Sequence, residues 1–247
     1  MLVSIVTPLH NSAKTAETAI LSVKKQTLID WEMILVDDFS NDNTLDIVLS
    51  CTRGDPRFKI VKMSKNVGAG EARNAAIEEA KGRYISFLDS DDFWLPDKLY
   101  SQINFMESHK VALSYGDYTE MDIRSGKKNI SYKLPSQLSY YDLLGGCPIG
   151  CLTAAYNQEY LGKKYMPLVR RGQDWGLWLD ITRSGEHAIK YPGNHAVYNI
   201  SPNSLSGNKI KKMKDIYEIY RVKEGLNSFS SLWHLCRHVK YVRSKRI

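Results

Sequence analysis

Cysteine is scarce in this sequence and follows no pattern. Cys51 and Cys236 stand alone, while Cys147 and Cys151 enclose only Pro148, Ile149 and Gly150 with no histidine beside them. That pair reads as small buried thiols rather than as a zinc site. Long apolar runs are absent as well, so no segment spans a bilayer as a helix. The opening Met-Leu-Val-Ser-Ile-Val-Thr-Pro has neither the basic region nor the cleavage site of a secretion signal. Those two absences give the expectation of a cytoplasmic protein. Glycine loops for nucleotides are missing too. Lys65 to Ala76 is rich in small residues, yet it lacks both the Lys-Ser/Thr ending of a mononucleotide loop and the Gly-x-Gly-x-x-Gly of a dinucleotide fold.

What is present is ordinary in bulk and uneven in charge. A chain of 247 residues, 43% hydrophobic and 25% charged, can build one large α/β domain with a substantial core, alone or with a short appendage. The net charge is +7, and from Gly207 to Ile247 eleven Lys and Arg stand against only Asp215, Glu218 and Glu224. The tail therefore carries the whole positive excess. A basic tail on a near-neutral domain points to an anionic surface, either membrane headgroups or nucleic acid.

The rest of the chain is organised around Gly82 to Trp94. Tyr84 to Leu88 is a short aromatic and β-branched run, the pattern of a strand buried on both faces. Asp89, Asp91 and Asp92 follow it directly. Crowding three carboxylates is costly unless a positive charge sits among them, and Mg²⁺ or Mn²⁺ suits an all-carboxylate cluster better than zinc. A solvated turn ahead of Pro96 uses the same residue types, so the place of the strand decides. In open α/β sheets ligands bind beyond the carboxyl ends of the strands.

Leu2 to Val6 predicts a strand running into the polar Thr7 to Ser12, and Lys14 to Gln26 a helix with Ala16, Ala19, Ile20 and Val23 on one face. Trp31 to Val36 is a second strand, ending in Asp37 and Asp38, so strand followed by carboxylate occurs twice. A helix capped at Asn43-Thr44 runs to about Ser50, and Phe58 to Met63 is a third strand. A glycine-led helix then carries Arg73, a fixed positive charge. Lys98 to Ser108 is a helix and Val111 to Tyr115 a strand. This alternation predicts a mainly parallel sheet with helices on both faces and Tyr84 to Leu88 in its interior.

Beyond Asp117 the pattern loosens. Arg124 to Lys127 reads as a hairpin turn, Tyr140 to Leu144 as a short helix and Cys151 to Tyr156 as a returning strand. Arg170 to Ile181 opens a helix with Trp175, Trp178, Leu179 and Thr182 at helical spacing. Asp174 sits in its first turn, where the helix dipole favours a carboxylate. The tail has two helical pieces, one with Ile210, Met213, Ile216, Tyr217 and Tyr220 as its apolar stripe, the other with Leu232, Trp233, Cys236, Val239 and Tyr241. Basic amphipathic helices of this kind lie in a membrane interface or pack on the domain with a solvated basic face.

Together these pieces resemble the family 2 glycosyltransferases with the GT-A fold, especially bacterial enzymes of surface polysaccharide synthesis. The resemblance rests on Val3-Ser-Ile-Val-Thr-Pro8, on Ile34-Leu-Val-Asp-Asp38 with Ser40 and Asp42, and on Asn66, Gly68 and Ala72-Arg-Asn74. It continues through Phe87-Leu-Asp-Ser-Asp-Asp92 and Gln173-Asp174 before Leu177-Trp-Leu179. It implies an α/β GT-A catalytic domain over residues 1–206, with the nucleotide-sugar half at 1–117, the acceptor half at 118–206, and a basic helical tail at 207–247. It also implies roles for single residues. Thr7, Pro8, Asp38 and Arg73 line the nucleoside site, Asp38 accepting from the base. Asp89 faces the ribose and sugar, Asp91 holds Mn²⁺ or Mg²⁺ at the diphosphate, and Asp174 is the catalytic base.

The activity so implied is metal-dependent, inverting transfer of a sugar from a nucleotide-diphosphate donor, a UDP-hexose or UDP-N-acetylhexosamine. The acceptor is a hydroxyl of a polyprenyl-diphosphate-linked saccharide. The enzyme is expected at the inner face of the cell membrane, touching anionic lipid through its tail and binding no nucleic acid. A metal at the departing diphosphate acts as a Lewis acid, and a carboxylate that takes the acceptor proton makes a hydroxyl a competent nucleophile. The sequence departs from the family where some relatives place a metal-binding His, since Tyr198 to Ser206 contains none. Gln173 replaces a common Glu, leaving Asp174 as the only carboxylate of its pair. Two other readings remain at this point, a sugar-phosphate nucleotidyltransferase and a non-catalytic basic module for membrane or nucleic acid. The first lacks its glycine-rich loop after the first strand, and the second leaves the aspartates unexplained.

Overall fold

β1 (Val3–Leu9) and β2 (Trp31–Asp37) are apolar nearly throughout because helices cover both faces of the sheet, and every residue of both strands is buried. β3 (Phe58–Lys62) and β4 (Tyr84–Phe87) join them in the order β3-β2-β1-β4, all parallel. The crossovers are α1 (Ala16–Lys24), α2 (Thr44–Thr52) and α3 (Ala69–Glu79). The computed structural model describes residues 1–122, 127–132, 134–200 and 209–244. Since the chain runs from β1 outward to β2 and β3 and then returns to place β4 on the other side of β1, a crevice opens between the carboxyl ends of β1 and β4.

The sheet continues through β5 (Phe93–Trp94), β6 (Leu113–Asp122), β7 (Lys127–Tyr132), β8 (Gln137–Leu138), β9 (Ala155–Asn157) and β10 (Ala188–Asn199). Its order beyond β4 is β9-β6-β10-β5, with β7 on β6 and β8 on β10. β6 and β10 are parallel, while β9 is antiparallel to both β4 and β6. The expected parallel arrangement therefore holds for the first four strands, and the second half is mixed. Helices α4 (Lys98–His109), α5 (Tyr140–Gly145), α6 (Gln158–Leu161) and α7 (Gln173–Arg183) complete the domain.

Two expected boundaries move. β6 runs on to Asp122 because β7 and β10 hydrogen-bond to its two edges. The returning strand is shorter than Cys151 to Tyr156, since Cys151–Thr153 is a 3-10 turn closed by the Thr153 amide and hydroxyl, which both donate to the Gly150 carbonyl at 2.9 and 2.8 Å. The hairpin turn at Arg124 to Gly126 and the stretch Ser201 to Ser206 lie outside the described residues.

The tail forms α8 (Lys209–Glu218), a π-helical turn (Ile219–Lys223) and α9 (Ser228–Ser244). Ile216, Ile219 and Tyr220 are buried, whereas Met213 is exposed. On α9 the expected apolar stripe is split. Leu232 and Trp233 are 57% and 59% exposed and Cys236 is exposed with them, as is Phe229 at 83%, while Val239 and Tyr241 are half-buried. The inward face is Ser231, His234 and His238, because the surface beneath offers aromatic rings. No described helix is long and apolar enough to cross a membrane.

Candidate active site

Loops leaving the carboxyl ends of β1 to β4 are tied to one another. The His10 ring shares a hydrogen bond of 2.7 Å with the Asp38 carbonyl, and the Ser12 and Ser90 hydroxyls lie 2.8 Å apart. The Asp38 carboxylate accepts from the amides of Val67 and Gly68, at 2.7 and 2.8 Å. Gly68 has φ +90° directly ahead of α3, a conformation that glycine adopts without steric cost. A carboxylate just past the end of β2 thus fixes the turn that starts α3.

That helix brings Arg73 inward. Its Nη2 pairs with Asp89 Oδ1 at 2.5 Å, and its Nη1 donates to Gln173 Oε1 at 3.4 Å. Burial alone would lower the guanidinium pKa, but the Asp89 charge and hydrogen bond outweigh burial and raise it. Beside this pair lies a cavity of about 340 Å³, lined among others by Asp89, Asp92, Tyr118, Glu120, Asp174 and Tyr198. Asp174 reaches it from the first turn of α7. Burial holds the Asp174 carboxyl above the usual carboxylate range, and Arg73 and the Trp175 amide draw it part of the way back.

The neighbouring acids have separate environments. Asp92 is 2% exposed and accepts from the Asn199 amide at 2.9 Å. Burial, then Asp91 and Asp89, push its carboxyl well up. Asp91 stands exposed at the rim, where crowding by its own loop and the Asp89 charge raise it. Burial and the same three aspartates push the Tyr198 hydroxyl up to about 12. Burial also pushes the Cys151 thiol far up, which removes it as a nucleophile.

Of the residues singled out in the sequence, Asp89 and Asp174 line one cavity and Arg73 lies between them, interacting with both. Asp91 is next to that cavity at the rim. Asp38 is 2% exposed one loop away, with its oxygens engaged by backbone amides. Thr7 and Pro8 are buried within β1, and the Thr7 hydroxyl has no hydrogen-bond partner among the described residues. Tyr118 and Glu120 escape the sequence reading, because ending the strand at Tyr115 hides them. Their alternation with Thr119 and Met121 is the signal that the strand goes on and turns both toward the cavity.

No cluster of three His, Cys, Asp or Glu side chains able to hold a metal ion by itself exists among the described residues. Asp89 is committed to Arg73 and Asp92 to the Asn199 amide. Asp91 forms no ion pair with any described Lys or Arg, and lost hydration, then the Asp89 charge, raise its carboxyl. That environment fits a cation that takes one protein carboxylate and its remaining ligands from substrate phosphates and water.

Comparison with known proteins agrees with this geometry. Residues 4–161 match Glycosyl transferase family 2. The putative teichuronic acid biosynthesis glycosyltransferase TuaG of Bacillus subtilis (strain 168) is 37% identical over 246 residues, covering 100% of this chain and 98% of its own. The Escherichia coli protein WfgD, a UDP-Glc:alpha-D-GlcNAc-diphosphoundecaprenol beta-1,3-glucosyltransferase, is 37% identical over 221 residues, 88% of this chain and 85% of its own. Among solved structures, S. aureus TarS 1–349 in complex with UDP superposes with a TM-score of 0.73 at 20% identity, covering 97% of this chain and 71% of TarS 1–349. The mannosyltransferase PcManGT of Pyrobaculum calidifontis, in complex with GDP-Man and Mn²⁺, gives 0.69 at 17% identity over 98% of this chain and 74% of its own. At those identities the likeness establishes the fold, which is GT-A. The family match takes in Asp38, Arg73, Asp89 and Asp91, and the full-length alignment carries it past Asp174 into the tail: the chain belongs to glycosyl transferase family 2 and is a glycosyltransferase.

Proposed function

We propose that the protein moves a hexose from a UDP-linked donor to a hydroxyl of a saccharide carried on polyprenyl diphosphate, with inversion at the anomeric carbon. One observation carries this reading. Asp174 is a carboxylate of raised pKa that shares a cavity with Asp89 and the Arg73 pair. Membership of the family sets aside the nucleotidyltransferase and non-catalytic alternatives.

In this reading the ionised Asp174 takes the proton of the acceptor hydroxyl as its oxygen bonds to the anomeric carbon. The bond from that carbon to the diphosphate oxygen breaks on the opposite face, and UDP departs with the bonding pair. Asp89, oriented by Arg73, faces the ribose and sugar. Thr7 and Pro8 form the floor beneath the nucleoside, and Asp38 orders the Val67–Gly68 turn at its edge. Asp91 would hold a divalent ion, Mn²⁺ or Mg²⁺, which when bound stabilises the charge building on the leaving diphosphate. Residues 1–117 serve the donor and 118–206 the acceptor. Residues 207–247 meet anionic lipid on the cytoplasmic side through Phe229, Leu232 and Trp233, with Lys240 exposed alongside. Such attachment brings the site to a carrier that resides in the bilayer.

UDP-glucose with GlcNAc-diphosphoundecaprenol is the first substrate pair to try, with UDP release and product mass as readouts. Asp174→Asn is expected to lower kcat by about 10²- to 10⁴-fold while UDP binding persists. Near-normal turnover in that variant removes Asp174 as the base, and activity with GDP- or TDP-sugars alone overturns the donor assignment.

A further inference from the structure

We propose that the two C-terminal helices position the base-bearing end of α7, with Ile219 and His238 as positioning residues, so that the tail belongs to the transfer machinery as well as to the membrane contact. The inference rests on Asp174 being the base.

The N-cap residue of α7 supplies no side-chain hydrogen bond, and the first turn has only its own Asp174 carboxylate as a side-chain acceptor for its amides. Its N-cap is Gly172, which carries no side chain to accept from the free amides and adopts φ +72°. The tail supplies the missing restraint. Ile219 fills the space in front of Gly172, where a Cβ at position 172 would lie 2.8 Å from Ile219 Cδ1. Arg171, one residue earlier, faces Asp215 of α8 at 3.6 Å.

Trp175, the neighbour of Asp174, is held on two sides. The His238 ring stacks on it with centroids 5.3 Å apart and planes at 24°, and Tyr220 meets it edge-on at 5.8 Å. The Trp175 indole donates to the Leu143 carbonyl at 2.9 Å and the Tyr220 hydroxyl to the Leu144 carbonyl at 2.6 Å, so helix and tail are pinned to the same end of α5. Adjacent residues on a helix point about 100° apart. Gripping Trp175 therefore fixes the orientation of the first turn of α7 on a helix whose later turns sit in the core, and with it the direction in which Asp174 enters the cavity. A displacement of about 1 Å at a reacting group costs up to about 10²-fold in rate. The remainder of α7 has an anchor of its own, because Leu177, Trp178, Leu179 and Ile181 are all 0% exposed in the domain core, in addition to the ion pairs of Asp180 and Arg183 with Lys223 and Glu224 of the tail.

The test uses the full-length protein, UDP-glucose, and GlcNAc-diphosphate on a short alkyl chain, an acceptor that needs no membrane. His238→Ala and Ile219→Ala are expected to lower kcat by about 10- to 100-fold, leave KM for UDP-glucose unchanged, and be rescued at position 238 by His238→Phe, which keeps a ring. Amide hydrogen exchange at Trp175 and Gly176 should quicken without any substrate present. The acid limb of the kcat profile should move to lower pH as water reaches Asp174, since Arg73, Asp89 and Cys151, which face it, are untouched. Wild-type kcat in both alanine variants with unaltered exchange overturns the inference, as does a His238→Phe variant no better than His238→Ala. An active Asp174→Asn enzyme overturns the base assignment instead, so the two failures are told apart.

Discussion

Arg73→Met removes the cation around which the carboxylates of the site are arranged while keeping much of the side chain's apolar bulk. The Arg73 side chain is 10% exposed and that of Asp89 29%. Removing one partner of a fully buried pair costs about 3–5 kcal/mol, but Asp89 borders the cavity and recovers part of its hydration, which brings the expected loss to about 2 kcal/mol. For a chain of this size that lowers Tm by roughly 4–8 °C at pH 7. Adding Asp89→Asn withdraws the stranded charge, so the double variant should be less destabilised than the two singles summed. The rate profile carries the second half of the prediction. Asp174 acts only when ionised, so kcat falls as pH drops through its pKa. Burial sets that pKa high and Arg73 holds it down. Losing Arg73 therefore raises it further, and the acid limb moves to higher pH. Thermal unfolding and kcat as functions of pH measure the two effects. Additive destabilisation, or an acid limb that stays in place or moves down, refutes the electrostatic account.

Asp91→Asn should abolish Mn²⁺-stimulated UDP binding, read by titration calorimetry. Its metal-free Tm at pH 7 should hold or rise by up to about 2 °C, because a carboxyl raised by lost hydration and by Asp89 destabilises the fold when ionised. An unchanged metal titration contradicts the assignment. Lys98 is fully buried, donates to the Ser86 hydroxyl at 2.5 Å and lies 3.8 Å from the Trp94 ring centroid, and burial drives its amine well below the lysine range. A depressed lysine pKa costs stability at lower pH, and the cost shrinks as pH rises toward the unfolded value. Lys98→Met should then raise Tm at neutral pH by roughly 2–6 °C and flatten the gain toward alkaline pH, and a lower Tm throughout counts against the argument. Phe229→Ser with Trp233→Ser should weaken co-sedimentation with anionic vesicles by about 10-fold or more and leave transfer to a soluble acceptor intact. Equal binding by wild type and variant would exclude this face as the lipid contact.

The parallel half was legible because buried parallel strands read as continuous apolar runs, and the carboxylates at their ends stand out against them. Asp38, Asp89 and Asp91 stand out that way, whereas Asp174 is singled out by the family resemblance, since a carboxylate in a first helical turn is common for the dipole alone. The second half resisted for a different reason. Tyr118, Thr119 and Glu120 mix polar and apolar residues because one face of β6 borders a cavity, and a strand serving a site loses the hydrophobic signature that reveals it. The turn at Cys151–Thr153 depends on the Gly150 carbonyl and not on a periodic pattern. On α9, hydrophobicity picked the wrong face in the first half of the helix. His234 and His238 are buried against the Tyr220 and Trp175 rings, and the tail sequence does not announce that Trp175 of α7 lies beneath it.

β9 joins β4 to β6, making one sheet from β3 to β5. A frame of that kind has no hinge across its middle, because swinging one half against the other would tear the ladder that β9 completes. Admission and release of substrates then fall to the loops at the strand ends and to the tail helices. The same division shapes how such a protein can diversify. Under the proposed division into a donor half and an acceptor half, descendants that exchange those loops can acquire new acceptors while inheriting the donor end intact, so a lineage is free to vary the polymer it builds without re-inventing the step by which it builds it.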